Sequence, residues 1–129
     1  SQQHRIMVDG PAAQLLFGEA EVLAAAKHLV NGANVDFATE LATVTYVHFM
    51  FDRHQIVLAN SLSSESFYPD REALRATGQA ARQKLLNIFP EVRANARAYG
   101  PTARLTIKAH QASVFMDLYA SGRKVPALA

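Results

Sequence analysis

The stretch Thr43–Phe67, TVTYVHFMFDRHQIVLANSLSSESF, constrains the fold more than any other part of the chain. It is the longest run of strand-type sequence, and polar residues interrupt it on one side. His48, Asp52 and His54 share the even-numbered series with Val44, Tyr46, Met50, Ile56 and Leu58, which a straight strand points to one face. The alternate series Val47, Phe49 and Phe51 is apolar until Arg53. A strand apolar on both sides is usually covered on both, and polar groups inside it need partners. The stretch is therefore expected to be a covered strand and the first place to look for chemistry.

The flanking segments define the architecture expected around it. His4–Val8 reads as a strand, and Asp9-Gly10-Pro11 as a turn. Gln14–Phe17 reads as a second short strand completing a hairpin. Glu19–Val30 has the marks of a helix: Glu19 and Glu21 in the first turn, Lys27 and His28 in the last, and Asn31-Gly32 as the stop. Val35–Ala38 reads as a short strand. His54–Ala59 and Leu62–Phe67 read as two strands joined at Asn60-Ser61. Beyond Phe67, Asp70 is the expected N-cap of a helix carrying Leu74, Thr77, Ala81, Leu85 and Ile88 up to Phe89-Pro90, with a break expected at Gly78. A further helix over about Ala103–Leu118 carries Leu105, Ala109, Ala112 and Met116, and the residues from Ser121 onward read as frayed. Strands first and helices second give a mostly-β or α+β class. The division expected is a β-rich part over 1–68 and a helical part over 69–129 packed on it.

Composition removes several kinds of chemistry. At 129 residues the chain is one domain by the usual prior of roughly 100–200 residues. It has no cysteine, which excludes disulfides, thiolate metal sites and a Cys nucleophile within it. No apolar run approaches the roughly 20 residues that cross a bilayer, so no membrane partner is expected. The opening SQQHR carries no signal-peptide pattern. Cytoplasm is the default compartment, and secretion of a parent protein is compatible with it. The net charge of +2 hides an acidic first half and a basic segment of Arg71, Arg75, Arg82, Lys84, Arg93, Arg97, Arg104 and Lys108. Without aromatic interleaving, that segment reads as a solvated face and not as a nucleic-acid surface. Glycine-rich phosphate loops are absent, which argues against nucleotide chemistry. No cofactor is implied.

Two kinds of site can be built from the central stretch. His48, Asp52 and His54 are suitable ligands for zinc or another divalent ion. On a straight strand, however, His48 and His54 lie roughly 20 Å apart at about 3.3 Å per residue. Only a bulge near Asp52-Arg53 would gather them. Asp52 and His54 alone can form a carboxylate–imidazole pair. For His48 the favoured reading is a partly buried histidine bonded to backbone; for His54, function and a structural part weigh equally. Ser61, Ser63, Ser64 and Ser66 lie near His54, but no G-x-S-x-G elbow is present, and serines in a tight connection are more often turn formers. His28 and His110 have no evident partner in the sequence.

Three segments, SQQHRIMV, FGEAEVLAAAKHLV and VTYVHFMFDRHQIVLANSLSSESFYPD, resemble the bacterial Hedgehog/intein (Hint) domain family. The likeness is to its subgroup with S-P-Q-H-R, E-V-L-V-x-A and Y-V-H-x-x-F-D-R-H motifs, and it covers residues 1 to about 90. The helical remainder resembles the tail common in that subgroup. The resemblance implies a compact β-rich horseshoe that breaks or rearranges a peptide bond at its own N-terminus by an N–S or N–O acyl shift. It implies that Ser1-Gln2-Gln3-His4 is the T-x-x-H block, with Ser1 replacing Thr. His4 then polarises the scissile amide and protonates its nitrogen. By the same resemblance Asp52 and His54 fall on the polar positions of a later block and form a second acid/base pair, and Ala59-Asn60-Ser61 falls on A-N-G. Glu65-Ser66 stands where the family has His-Asn, so Asn cyclisation and full splicing are not expected. The family's nucleophile and first strands precede its T-x-x-H block. The chain is thus expected to be a fragment, inactive alone, completed by the upstream half of the domain, by a second chain or by a copy of itself.

Overall fold

The computed structural model describes residues 2–40 and 42–120. They form an α+β chain with a five-stranded mixed sheet, as expected from strands preceding helices. The chain groups into two compact units, which it visits alternately: 1–47, 56–65 and 104 onward in one, 48–55 and 66–103 in the other. Ser1 and the end from Ser121 onward lie outside the described residues.

The first unit holds the sheet. Strand β1 (Arg5–Asp9) is followed by helix α1 (Pro11–Phe17) and strand β2 (Glu21–Ala25), which runs antiparallel to β1 with Met7 opposite Leu23. The expected strand over Gln14–Phe17 is therefore a helix. Pro11 at its start has φ preset for a helix, and Gly18 closes it at φ 72°, donating its N–H to the Gln14 carbonyl at 3.0 Å. The expected helix over Glu19–Val30 is β2 plus a 3-10 turn, Ala26–His28. Val22, Leu23 and Ala24 are all fully buried, so successive residues are covered on both faces, as befits a central strand. A short apolar run cannot be assigned by period alone, and here tertiary burial decided.

Strands β3 (Ile56–Ala59) and β4 (Leu62–Glu65) form the expected hairpin. Its two-residue turn has Asn60 at φ 50° and Ser61 at φ 64°, the left-handed pair that matches strand twist. The sheet order is β3-β4-β1-β2-β5, where β5 (Leu105–Thr106) lies parallel to β2. Helix α4 (Ala109–Ala120) starts later than expected because Gln111, in its first turn, returns Oε1 to the Lys108 N–H at 2.8 Å. Ala112 and Phe115 join Ala13, Val22, Ala24, Leu29 and Ile107 in one core. Val35–Ala38 forms no strand. Asn31 Oδ1 accepts the N–H groups of Ala33, Asn34 and Val35, and the Val35 carbonyl accepts the Asn31 N–H, so a local turn takes both backbone groups of the first residue such a strand would have.

The second unit is helical. Asp70 caps α2 (Arg71–Ala76), accepting the Ala73 N–H at 2.8 Å, as expected. The break at Gly78 separates it from α3 (Gln79–Ile88), which ends at Phe89 before Pro90. Two 3-10 turns, Pro90–Arg93 and Ala96–Tyr99, follow. Phe89, Tyr99 and Tyr68 pack edge to face in series, with centroids 5.9 and 5.6 Å apart.

The stretch Thr43–Gln55 forms no strand and, apart from His54 and the partly buried Met50, is exposed, contrary to its composition. Val47 is 69% exposed and Phe49 64%. Single bonds replace a ladder over its later half: the Phe67 N–H reaches the Phe49 carbonyl at 2.6 Å, and the Tyr99 hydroxyl the Phe51 carbonyl at 2.6 Å. Isolated bonds hold the backbone at points without bringing a second sheet face over the side chains.

Candidate functional site

His4 belongs to the first unit and stands directly before β1, half-buried. Its carbonyl accepts the Ala26 N–H at 2.8 Å, and the Gln2 carbonyl accepts the Lys27 N–H at 3.0 Å. The opening segment is thus held against the turn that ends β2. On its other edge, the Arg5 N–H donates to Glu65 Oε1 at 2.8 Å, and Arg5 Nη1 meets Glu65 Oε2 at 3.0 Å. Glu65 is buried, and its two oxygens are satisfied by a cation and a backbone donor. Antiparallel pairing of Ile6 with Ser64 puts Arg5 opposite Glu65. Sequence reasoning treated Glu65 only as a departure from a family motif. Its part in the site depends on which strands neighbour β1, and no local pattern announces that.

Asp52 and His54 belong to the second unit, and no hydrogen bond joins them. His54 is buried at 4% exposure. Its Nδ1 accepts the Ala103 N–H at 2.8 Å, and because that amide can only donate, the ring proton sits on Nε2 and points to the Ser66 carbonyl at 3.1 Å. Tyr68 packs edge-on against the ring at 5.2 Å. Both nitrogens are therefore committed to backbone. Asp52 is exposed in a bend with Arg53, and that bend removes the strand geometry that would set Asp52 and His54 on one face. The expected carboxylate–imidazole pair is replaced by a histidine that ties Ser66 to Ala103.

The other residues singled out by the sequence are equally placed. His48 is exposed and edge-on to Phe67 at 5.0 Å, so the expected backbone-bonded burial is not found. Ser61 is in the hairpin turn, Ser64 is buried in β4, and Ser66 Oγ accepts the Gln55 N–H at 2.9 Å. His28 Nδ1 is buried with no hydrogen-bond partner among the described residues, and His110 lies exposed on α4. No group of three or more His, Asp or Glu side chains among the described residues is arranged to hold a metal ion. Of the pair considered for a metal ion, His54 meets backbone groups at both ring nitrogens and Asp52 is exposed.

Tyr99 is buried, and burial is the main cause that raises its phenol above the ordinary 10.0. The hydrogen bond to Phe51 opposes that shift, and the Asp52 carboxylate and Tyr68 add to it.

Among known families, the family model described as a Hint domain matches residues 1–71, more than half of the chain. No curated protein and no solved structure matches it.

Proposed function

The chain belongs to the Hint domain family, and from that membership we propose that it is part of a self-processing domain acting on a peptide bond upstream of Ser1. The family match across the Ser1-Gln2-Gln3-His4 block carries this reading. A hydroxyl or thiol of an upstream residue attacks the carbonyl carbon preceding it. The nucleophile's proton passes to solvent, the C–N bond breaks, and the nitrogen takes a proton from the His4 imidazolium, which solvent reprotonates, leaving an ester or thioester. Water or an external nucleophile then resolves it. His4 is the general acid, a part that needs a positioned imidazole within reach of the leaving nitrogen. The backbone bonds at Gln2 and His4 support such positioning. His54 and Asp52 take no proton-transfer part in this reading, because both His54 nitrogens are occupied.

The test is on the natural polypeptide including the sequence that precedes Ser1, followed by intact mass with and without an added thiol. Thiol-stimulated cleavage that disappears in His4→Ala is the expected result. A wild-type polypeptide that stays whole under both conditions overturns the reading.

A second reading, a Hint fold kept as an assembly module, is favoured by the exposed apolar side chains of Val47 and Phe49. It predicts an uncleaved wild type that elutes above its monomer mass.

A further inference from the structure

Building on the proposed role of His4, we infer that Glu65 is a positioning residue for that histidine, acting through the His4–Arg5 peptide. A trans peptide points its C=O and N–H in opposite directions. The carbonyl of this one is taken by the Ala26 N–H at 2.8 Å, and its N–H by Glu65 Oε1 at 2.8 Å. Together the two bonds fix the plane that carries the His4 Cα, leaving mainly side-chain rotation to aim the imidazole.

The two tethers differ in kind. Ala26 N–H is a backbone donor just past the β1–β2 ladder, so any residue at 26 other than proline supplies it. The Glu65 tether comes from a side chain, so it alone depends on residue identity. Arg5 Nη1 holds the other carboxylate oxygen at 3.0 Å and so fixes the plane of the carboxylate that receives the Arg5 N–H. Glu65 is buried, which keeps water from competing for either bond. Where family resemblance places a histidine, this chain has a carboxylate that reaches back to the opening segment.

Two conservative variants separate reach from charge. Glu65→Gln keeps an oxygen at the same reach but loses the charge. Glu65→Asp keeps the charge but withdraws it by one carbon–carbon bond, about 1.5 Å. Both are compared with wild type and His4→Ala in the natural longer polypeptide, under conditions where circular dichroism shows all four folded. The readouts are the cleavage rate over a range of thiol concentrations and the Arg5 amide proton shift. We expect Gln to cleave within about threefold of wild type and to keep the downfield Arg5 amide. Asp should lose that shift and cleave more slowly by about tenfold or more, at an unchanged half-saturating thiol concentration. Any order other than Gln faster than Asp, with His4→Ala inactive, overturns the positioning role and leaves the acyl-shift reading standing. A wild-type polypeptide that does not cleave overturns both.

Discussion

His54 Nδ1 accepts the Ala103 N–H at 2.8 Å, across 49 positions of sequence. A ring nitrogen engaged in this way is a joint in the scaffold, and its removal is a stability experiment. His54→Leu takes away the acceptor of that amide and the donor to Ser66. Loss of a buried partner costs about 1–3 kcal/mol each, so a fall of about 2–6 kcal/mol is expected. A lowered urea midpoint at unchanged slope is the measurement.

Tyr99 gives the second unit a dependence on alkaline pH. Its phenol is raised in the folded state, so the folded protein holds the proton where the unfolded chain has released it. The resulting stability is complete below the ordinary tyrosine value of 10.0 and is lost as pH rises through the higher folded value. Tyr99→Phe should cost about 1 kcal/mol at neutral pH through the lost bond to Phe51. It should also flatten the decline in urea midpoint as pH rises above 10.0. An equally steep decline in the variant would show that other groups carry it.

Ser61 sits at φ 64°, where a β-carbon is strained and glycine is not. Ser61→Gly converts Asn60-Ser61 into Asn-Gly, the strongest two-residue hairpin turn. A gain of about 0.5–1 kcal/mol in unfolding free energy is expected, measured by thermal or urea unfolding. A loss would mean that the Ser61 side chain makes a contribution larger than the strain.

Features specified by neighbouring residues were legible in the sequence. The hairpin at Asn60-Ser61, the Asp70 cap, the break at Gly78 and the stop at Phe89-Pro90 each follow from local backbone chemistry. Pro11 and Gly18 carried an equally local signal for α1, which the apolar run Leu15-Leu16-Phe17 masked. The fate of Val22-Leu23-Ala24 was not local, because only the neighbours β1 and β5 make that run a strand. At the candidate site, His4 could be named from a motif. The bond between Glu65 and the Arg5 amide could not, since it needs the register of β1 against β4. In the central stretch the polar residues are not paired as the strand pattern suggests: both His54 nitrogens meet backbone groups, and Asp52 stands in solvent.

The place of β5 beside β2 sets an order on biosynthesis. Arg104 and Glu21, paired at 2.6 Å, are separated by 83 positions, and the whole of Ser66–Ala103 intervenes. A nascent chain that has emerged as far as Tyr99 has made four of the five strands, yet Ile107, Ala112 and Phe115, which help enclose Val22 and Ala24, are still to come. Strand β2 therefore waits for α4, and closing so long a loop makes this a slow step. The segment that carries His4, bonded to the end of β2 at Ala26 and Lys27, is therefore secured only as firmly as that strand.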